Sequence, residues 1–382
     1  MSSYFLPPPA PVSGLARYRL LSPKAGVHVS PIQLGGMSIG DQWNDMLGSM
    51  DKESSFKLLN AYFDHGGNFI DTANLYQDGS SESFIGEWAE ERGIRDRLFI
   101  ATKYTNNTHI RDKALSTHKI LYGGNNAKSL HLSVKSSLER LRTDYIDLLY
   151  VHWWDWDTSV EEVMQSLHKL VLQGKVLYLG ISDTPAWVVS MANQYARDHA
   201  LTPFSVYQGL WNVLDRSFER DIIPMARSQG LALAPWNVLC GGKIHTDAEE
   251  EQRAASQETG RSALPRDGNQ KAMSRALEKV AAEPTRRTDA EDIVAIAYLM
   301  QKTTFVFPII GGRKVEQLLQ NLEALEISLS DHQIQFIESV VPYDPGFPTT
   351  LIGDGKDYTI LLTCGGNVDK QCYPEPIRPQ AK

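Results

Sequence analysis

The chain has 382 residues, 42% of them hydrophobic and 22% charged, with 38 Lys and Arg set against 46 Asp and Glu for a formal charge of −8. This is the balance of a folded globular protein, which excludes fibrous and disordered classes. The acidic excess leaves no basic field for nucleic acid or anionic lipid, although a local pocket for one phosphate is compatible with it.

The N-terminal run MSSYFLPPPAPVSG has neither a charged n-region nor an apolar h-region, and no later stretch approaches a membrane span, so a cytosolic, membrane-free protein is expected. The three cysteines, Cys240, Cys364 and Cys372, are too few and too scattered for a disulfide framework. The histidines show no HExxH spacing and the cysteines no CxxC, so no metal is expected.

Tyr18 to Leu21 and Val27 to Ser30 flank the turn cluster Ser22-Pro23-Lys24-Ala25-Gly26, which predicts an N-terminal β-hairpin plugging one end of the fold. From Ile32 onward, short β-rich runs alternate with helical patterns. The predicted strands are Ile32–Gly35, Phe69–Asp71, Leu98–Lys103, Ile146–His152, Leu177–Ser182, Phe204–Gln208, Leu231–Trp236 and Phe305–Pro308. Phe56, Leu59 and Phe63 mark one helical face ended by Gly66; Val160, Val163, Met164, Leu167, Leu170 and Val171 mark another ended by Gly174, with Ser159 and Glu162 as its capping box. Eight βα units predict an α/β protein with a (β/α)8 TIM barrel. The rival, a doubly wound dinucleotide-binding sheet, would carry G-x-G-x-x-G after its first strand, and neither that nor a P-loop is present.

Residues 241–288, rich in Glu, Gln, Ala, Ser and Arg, interrupt the rhythm and read as a long loop inserted after strand seven, on the barrel face that carries chemistry. The expected organisation is a single domain over residues 1–382. Its barrel spans about 30–325, and a C-terminal helix and irregular tail occupy about 330–382.

Four polar residues stand at or just beyond the C-terminal ends of three successive predicted strands: Asp71 and Tyr76, then Lys103, then His152. A phenol with an ordinary pKa near 10 is a poor proton donor at neutral pH. A lysine cation ~4 Å away, at an effective dielectric of ~20, attracts tyrosinate by about 4 kcal/mol, or roughly three pKa units before burial opposes it. Asp71 would hold Lys103 charged, and His152 would hydrogen-bond a carbonyl oxygen. With no activated nucleophile or metal in the set, the matching chemistry is hydride transfer from a nicotinamide coupled to proton donation. The bland alternative is that each of the four is a paired or solvated strand-end residue.

The run Gly67-Asn68-Phe69-Ile70-Asp71-Thr72-Ala73, then Tyr76 and Glu82-Ser83-Phe84-Ile85-Gly86, closely resembles the first signature of aldo-keto reductases. Thr143-Asp144-Tyr145-Ile146-Asp147-Leu148 leading into Val151-His152 resembles a second, and the family's order Asp, Tyr, Lys, His is reproduced across a resemblance spanning about Ser30 to Ala324. The resemblance implies catalysis by Asp71, Tyr76, Lys103 and His152, with Tyr76 as general acid and NADPH as cofactor. It also implies that Ser182, Asp183 and Gln208 hold the carboxamide and that Asp71 borders the cofactor, with Asp183 replacing the commoner asparagine. Trp236 would stack on the nicotinamide or else pack the barrel. The backbone of Asn237, Val238, Leu239 and Gly241 would meet the pyrophosphate, with Asn237 departing from the usual serine, and Gly36 and Met37 would lie near the ribose. Gly312 and Arg313 resemble the adenosine-phosphate site, and Gln317, Gln320 and Asn321 would reach the adenine and ribose. A guanidinium at a helix start suits a 2′-phosphate.

Val151-His152-Trp153-Trp154-Asp155-Trp156, Gly180 to Trp187 and the tail around Asp344 to Pro348 resemble the branch of fungal aryl-alcohol dehydrogenases and norsolorinic acid reductase-like proteins. That implies a small-molecule carbonyl or alcohol substrate, with aromatic aldehydes favoured. Tyr104, Trp153 and Trp154, and less so Trp156, either form a flat slot for its ring or pack as core. The competing function is an NADPH-binding sensor similar to potassium-channel β subunits, which would bind the cofactor without appreciable turnover. Oligomeric state is not legible.

Overall fold

A computed structural model of the chain describes residues 8–44, 50–112, 115, 117–255, 265–283 and 291–379. The chain opens with an antiparallel hairpin, β1 (Arg19–Ser22) and β2 (Ala25–Val29), in the register Arg19 to Val29 and Leu20 to His28. Eight parallel strands follow: β3 (Gln33–Gly35), β4 (Phe69–Asp71), β5 (Phe99–Tyr104), β6 (Ile146–Val151), β7 (Val176–Ser182), β8 (Val206–Leu210), β9 (Ala232–Trp236) and β10 (Ile309–Ile310). They pair in the order β10-β3-β4-β5-β6-β7-β8-β9, and a parallel bridge between Leu233 and Val306 brings the segment before β10 beside β9. This is the expected (β/α)8 barrel with its N-terminal hairpin.

The last strand differs from its expected position. Phe305 to Pro308 runs beside β9, with Leu233 N donating to Phe305 O at 2.9 Å and Phe307 N to Leu233 O at 2.8 Å, whereas regular pairing with β3 falls on Ile309 and Ile310. One short segment closes the ring by serving two neighbours in turn.

Helices coat the outside: α1 (Lys52–Asp64), α2 (Ser80–Arg92), α3 (Ala127–Arg140), α4 (Val160–Leu172), α5 (Ala186–Asp198) and α6 (Phe218–Gln229) each follow a strand. The buried face of α1 is Ser55, Leu58, Leu59 and Tyr62, rotated from the expected Phe56, Leu59 and Phe63, because the Tyr62 hydroxyl lies 2.8 Å from Ile32 O and 2.7 Å from Phe69 O. That contact ties the helix to the start of the barrel. On α4, Ser159 accepts from Glu162 N, but the Glu162 carboxylate accepts instead from Ala127 N at 2.9 Å, so half of the expected capping box is used to join α3 to α4.

The segment expected to be a long inserted loop carries two helices among its described residues: α7 (Asp247–Ala255) and α8 (Gly268–Ala281). Residues 256–264 and 284–288 of it lie outside the described residues. Met273, Leu277 and Val280 of α8 are buried in the main apolar cluster, so this helix is part of the wall and not a loose flap. Then come α9 (Glu291–Lys302), α10 (Val315–Leu322) and α11 (Asp331–Val340), the last opened by a Ser330/Gln333 capping box. The tail beyond it is largely irregular and exposes Phe347, Ile360 and Leu361.

Two apolar layers hold the fold. Phe69, Phe99, Ala101, Leu148, Tyr150, Val206, Ala232, Ala234 and Phe307 fill the barrel interior, and Leu21, Ala25 and Val29 of the hairpin join them. Phe69 and Phe99 begin their strands, so the hairpin plugs the end opposite the strand C-termini. A larger layer lies between strands and helices. Each fully buried large apolar side chain contributes about 1.5–3 kcal/mol. No helix among the described residues is long and apolar enough to cross a membrane.

Candidate active site

With its lower end plugged, the barrel opens at the strand C-termini. Parallel register sets Gly35 beside Asp71, Asp71 beside Ala101, and Ser182 beside Gln208, so strand-end residues share one rim. The fully buried Lys103 ammonium donates to both Asp71 carboxylate oxygens at 2.8 and 2.7 Å and to Thr72 O at 2.7 Å, and sits 3.5 Å from the Tyr76 hydroxyl. Gln208 Nε2 donates to Asp71 Oδ1 at 2.8 Å. The carboxylate is thus fully engaged, as a buried charge requires.

Tyr76 reaches this pair from a turn in which Gln77 and Asp78 take left-handed φ of 54° and 52°. The turn is pinned to the loop after β3. Gln77 Oε1 accepts from Trp43 N at 2.7 Å, its Nε2 donates to Met37 O at 3.0 Å, and the Trp43 indole donates to Asp78 at 3.0 Å. The Tyr76 ring meets His152 edge-on at 6.0 Å and Trp43 at 6.5 Å between centroids. The four sequence-predicted residues are therefore brought together.

Electrostatics departs from the simple expectation for Tyr76. Burial raises its pKa, the Lys103 charge opposes this, and Asp71 adds to the rise, so the net displacement is upward. The lysine offsets burial without overcoming it. For Lys103, burial pulls down but Asp71 and Tyr76 outweigh it, and the ammonium stays charged. Burial and the Lys103 charge both push His152 well below the usual histidine range. The phenol holds its proton and the imidazole is neutral.

A cleft of about 940 Å³ opens above these groups, lined among others by Met37, Asp71, Tyr76, His152, Asp183, Gln208, Trp236, Asn237 to Leu239, Gly241, Gly312, Arg313 and Gln317. Lys103 lies beneath its floor. Asn237 (φ 58°) is left-handed, as are Cys240 (53°), Gly241 (67°) and Gly242 (80°) three residues on, which explains asparagine at the first position, since short polar side chains tolerate that region best after glycine. Asp183 is likewise left-handed at 41°; its Oδ1 accepts from the Trp236 indole at 3.0 Å. Burial pushes its carboxyl up to about 6, against the pull of that hydrogen bond and of Lys103.

Several residues expected at a dinucleotide have unmet polar capacity. Ser182 Oγ, beside Gln208, and Asn321 Oδ1 on α10 are buried without an intramolecular partner. Gly311 leaves open space where a side chain would stand, α10 begins just beyond it, and Arg313 makes no ion pair among the described residues. An anion at a helix start beside an unpaired guanidinium and a small amide at Ser182 fit these features. Gly36 is different: a Cβ there would meet Asp71 O at 2.9 Å and Ser81 Oγ at 3.0 Å, so it permits the close approach of β3 to β4 and does not line the cleft. Gln320 is exposed and outside the cleft.

Tyr104, Trp153, Trp154 and Trp156, for which slot and packing were the two readings, are not among the residues lining the cleft. Tyr104 follows the inward-facing Lys103 and so points outward, fully buried in the outer layer, its hydroxyl donating to Asn125 O at 3.2 Å. Trp154 belongs to the same layer, and Trp156 lies outside against Trp187 at 6.4 Å. Trp153, 39% exposed, turns its indole to Asn106. Trp43, Leu75 and Asn106, which no sequence motif marks, line the cleft next to Tyr76 and His152. Their position in the loops after the first three barrel strands was the available signal.

Comparison with known proteins agrees with this architecture. Residues 31–342 match the model of the aldo/keto reductase family. The chain is 56% identical to the aryl-alcohol dehydrogenase [NADP(+)] of Phanerodontia chrysosporium, covering 98% of each chain. It is 53% identical to a putative aryl-alcohol dehydrogenase of Saccharomyces cerevisiae, over 95% of this chain and 96% of that one. Identity to a norsolorinic acid reductase of Emericella nidulans is 47%, over 98% and 97%. A barrel with these four residues at its open end and a family match over most of its length leave one assignment: the chain belongs to the aldo/keto reductase family.

Proposed function

We propose that the protein is an NADPH-dependent oxidoreductase that reduces aldehydes, aromatic ones preferentially, to alcohols, and catalyses the reverse reaction. The observation that carries this reading is the buried Asp71–Lys103 pair with half-buried Tyr76 and neutral His152 beside it under one cleft. NADPH, when bound, supplies the hydride. Met37, Ser182, Asp183, Gln208 and Trp236 would hold its nicotinamide half, the Asn237 to Gly241 backbone its pyrophosphate, and Arg313, Gln317 and Asn321 its adenosine phosphate.

The protein's own groups then act on the carbonyl oxygen. His152 donates a hydrogen bond to it, and Tyr76 gives it a proton as negative charge develops there. Lys103 stabilises the resulting tyrosinate, and Asp71 keeps Lys103 charged and aimed. Trp43, Leu75 and Trp236 give the substrate an apolar wall, which suits an aryl ring. The relative's printed name, aryl-alcohol dehydrogenase, supports the same substrate class. We read residues 1–382 as one domain acting on small molecules, and its three free cysteines accord with a cytosolic setting.

The test is NADPH oxidation, followed by nicotinamide absorbance, across a panel of aryl and alkyl aldehydes. Aryl aldehydes are expected to turn over with the highest kcat/KM. Tight NADPH binding without turnover of any aldehyde would instead favour a cofactor-sensing protein.

A further inference from the structure

One donor, one acceptor and one amide meet at the Nδ1 side of His152. The Trp153 indole N–H donates to Asn106 Oδ1 at 2.9 Å, and an indole nitrogen has no lone pair to offer in return. The amide oxygen of Asn106 must therefore face Trp153. Its Nδ2, which carries only hydrogens, then lies 2.8 Å from His152 Nδ1 and donates to it. In a neutral imidazole an accepting Nδ1 places the proton on Nε2.

We propose that Asn106, oriented by the Trp153 indole, fixes His152 as the Nε2–H tautomer, so that the imidazole presents a permanent hydrogen-bond donor to the cleft. The functional half of this inference rests on the reading above that His152 binds the carbonyl oxygen. Asn106 is a positioning residue in this scheme, acting through His152.

The surroundings are built to keep the amide in place. Asn74 Nδ2 donates to Asn106 O at 3.0 Å, and His152 N donates to Thr105 Oγ1 at 3.2 Å, which itself donates to Asn125 Oδ1 at 2.9 Å. Asn125 N in turn donates to Asp155 at 2.7 Å. Thr105 takes φ of 88°, a strained conformation for a β-branched residue, and this turns the chain at the end of β5 so that Asn106 comes back over the barrel mouth. Trp153 and Asp155, flanking the outer-layer Trp154, thus hold the far side of the site from one short run of sequence.

The titratable groups around the imidazole are Tyr76, Lys103 with its partner Asp71, and Asp183 on the same cleft. Burial and Lys103 disfavour the imidazolium, so the neutral form whose tautomer matters is the one present.

The experiment uses the full-length protein labelled with 15N-histidine, with His152 assigned by the signal lost in His152→Gln. Wild type is expected to show a pyridine-type Nδ1 and a pyrrole-type Nε2. In Asn106→Asp the carboxylate accepts from Nδ1–H, so the tautomer switches and the imidazole pKa rises. The kcat/KM should fall about 10- to 100-fold at mildly alkaline pH and recover as pH falls, because an imidazolium again carries a proton on Nε2. Trp153→Phe, which removes the indole donor away from the cleft, should give a smaller fall of the same kind with a mixed tautomer. A protonated Nδ1 in neutral wild-type His152, or an unchanged tautomer in Asn106→Asp, overturns the proposal. A switched tautomer with undiminished turnover leaves the tautomer assignment standing and overturns the role of His152 at the carbonyl.

Discussion

Burial moves Tyr76 and His152 in the same chemical direction, toward their neutral forms, and the two carry different duties for that reason. One keeps a proton to give, and the other keeps a proton to share. Arg313 is governed by the opposite logic, a permanent charge without an ion-pair partner among the described residues. Arg313→Ala should raise the KM for NADPH about 10- to 100-fold, consistent with the loss of a charge-assisted bond of about 1.5–3 kcal/mol, and leave that for NADH nearly unchanged. Steady-state kinetics with both cofactors checks it. Asp183, with its carboxyl pushed up to about 6, gains a proton as pH falls through that value, which turns one of its acceptor sites into a donor. The KM for NADPH should therefore rise as pH is lowered through about 6, and Asp183→Asn, which cannot titrate, should flatten that profile.

Asp71, Tyr76, Lys103 and His152 were legible because strand ends are legible: a run such as Phe69-Ile70-Asp71 announces both the strand and the polar residue that stops it. Asn106 and Trp43 were not, because a loop's path depends on contacts such as the Gln77 side chain on the Trp43 backbone, which no periodicity encodes.

Among the elements, the short strands hold register by close backbone approach. At Gly36 a Cβ would meet the Asp71 carbonyl at 2.9 Å, so Gly36→Ala should destabilise by about 1–3 kcal/mol. Chemical denaturation should show it, with NADPH affinity changed less than stability. At the start of α9, burial is the largest cause raising Glu291 to about 7, with Glu249, Asp292 and Glu278 adding to it. Its folded pKa lies above the unfolded value, so the neutral form is favoured in the folded state. The penalty is absent below about pH 4.5 and is fully present above about 7. Glu291→Gln should raise the Tm by about 2 °C or more at pH near 8 and have little effect near 5. The sequence legibly marked seven strands and two of the helices between them, one with its buried face displaced. It misplaced the eighth because Phe305 to Ile310 divides its pairing between β9 and β3, and it missed α8 because the Glu-, Gln-, Ala-, Ser- and Arg-rich composition of residues 241–288 hides an apolar stripe at Met273, Leu277 and Val280.

At the scale of the molecule, a hairpin seals one end of the barrel and the strand C-termini, with α7 and the α10 start, build the other. In a protein with a net charge of −8, Arg313 and Lys314 sit together at one side of that open end, where the phosphates of an anionic cofactor would enter, with Asp71, Asp183 and Glu249 also lining the cleft. All of this architecture converges on one hydroxyl, and the most direct measurement is turnover of an aryl aldehyde by Tyr76→Phe alongside its NADPH affinity. With the proton donor removed, kcat is expected to fall about 10²- to 10⁴-fold while NADPH binds as in wild type. Undiminished turnover in that variant would contradict Tyr76 as the proton donor.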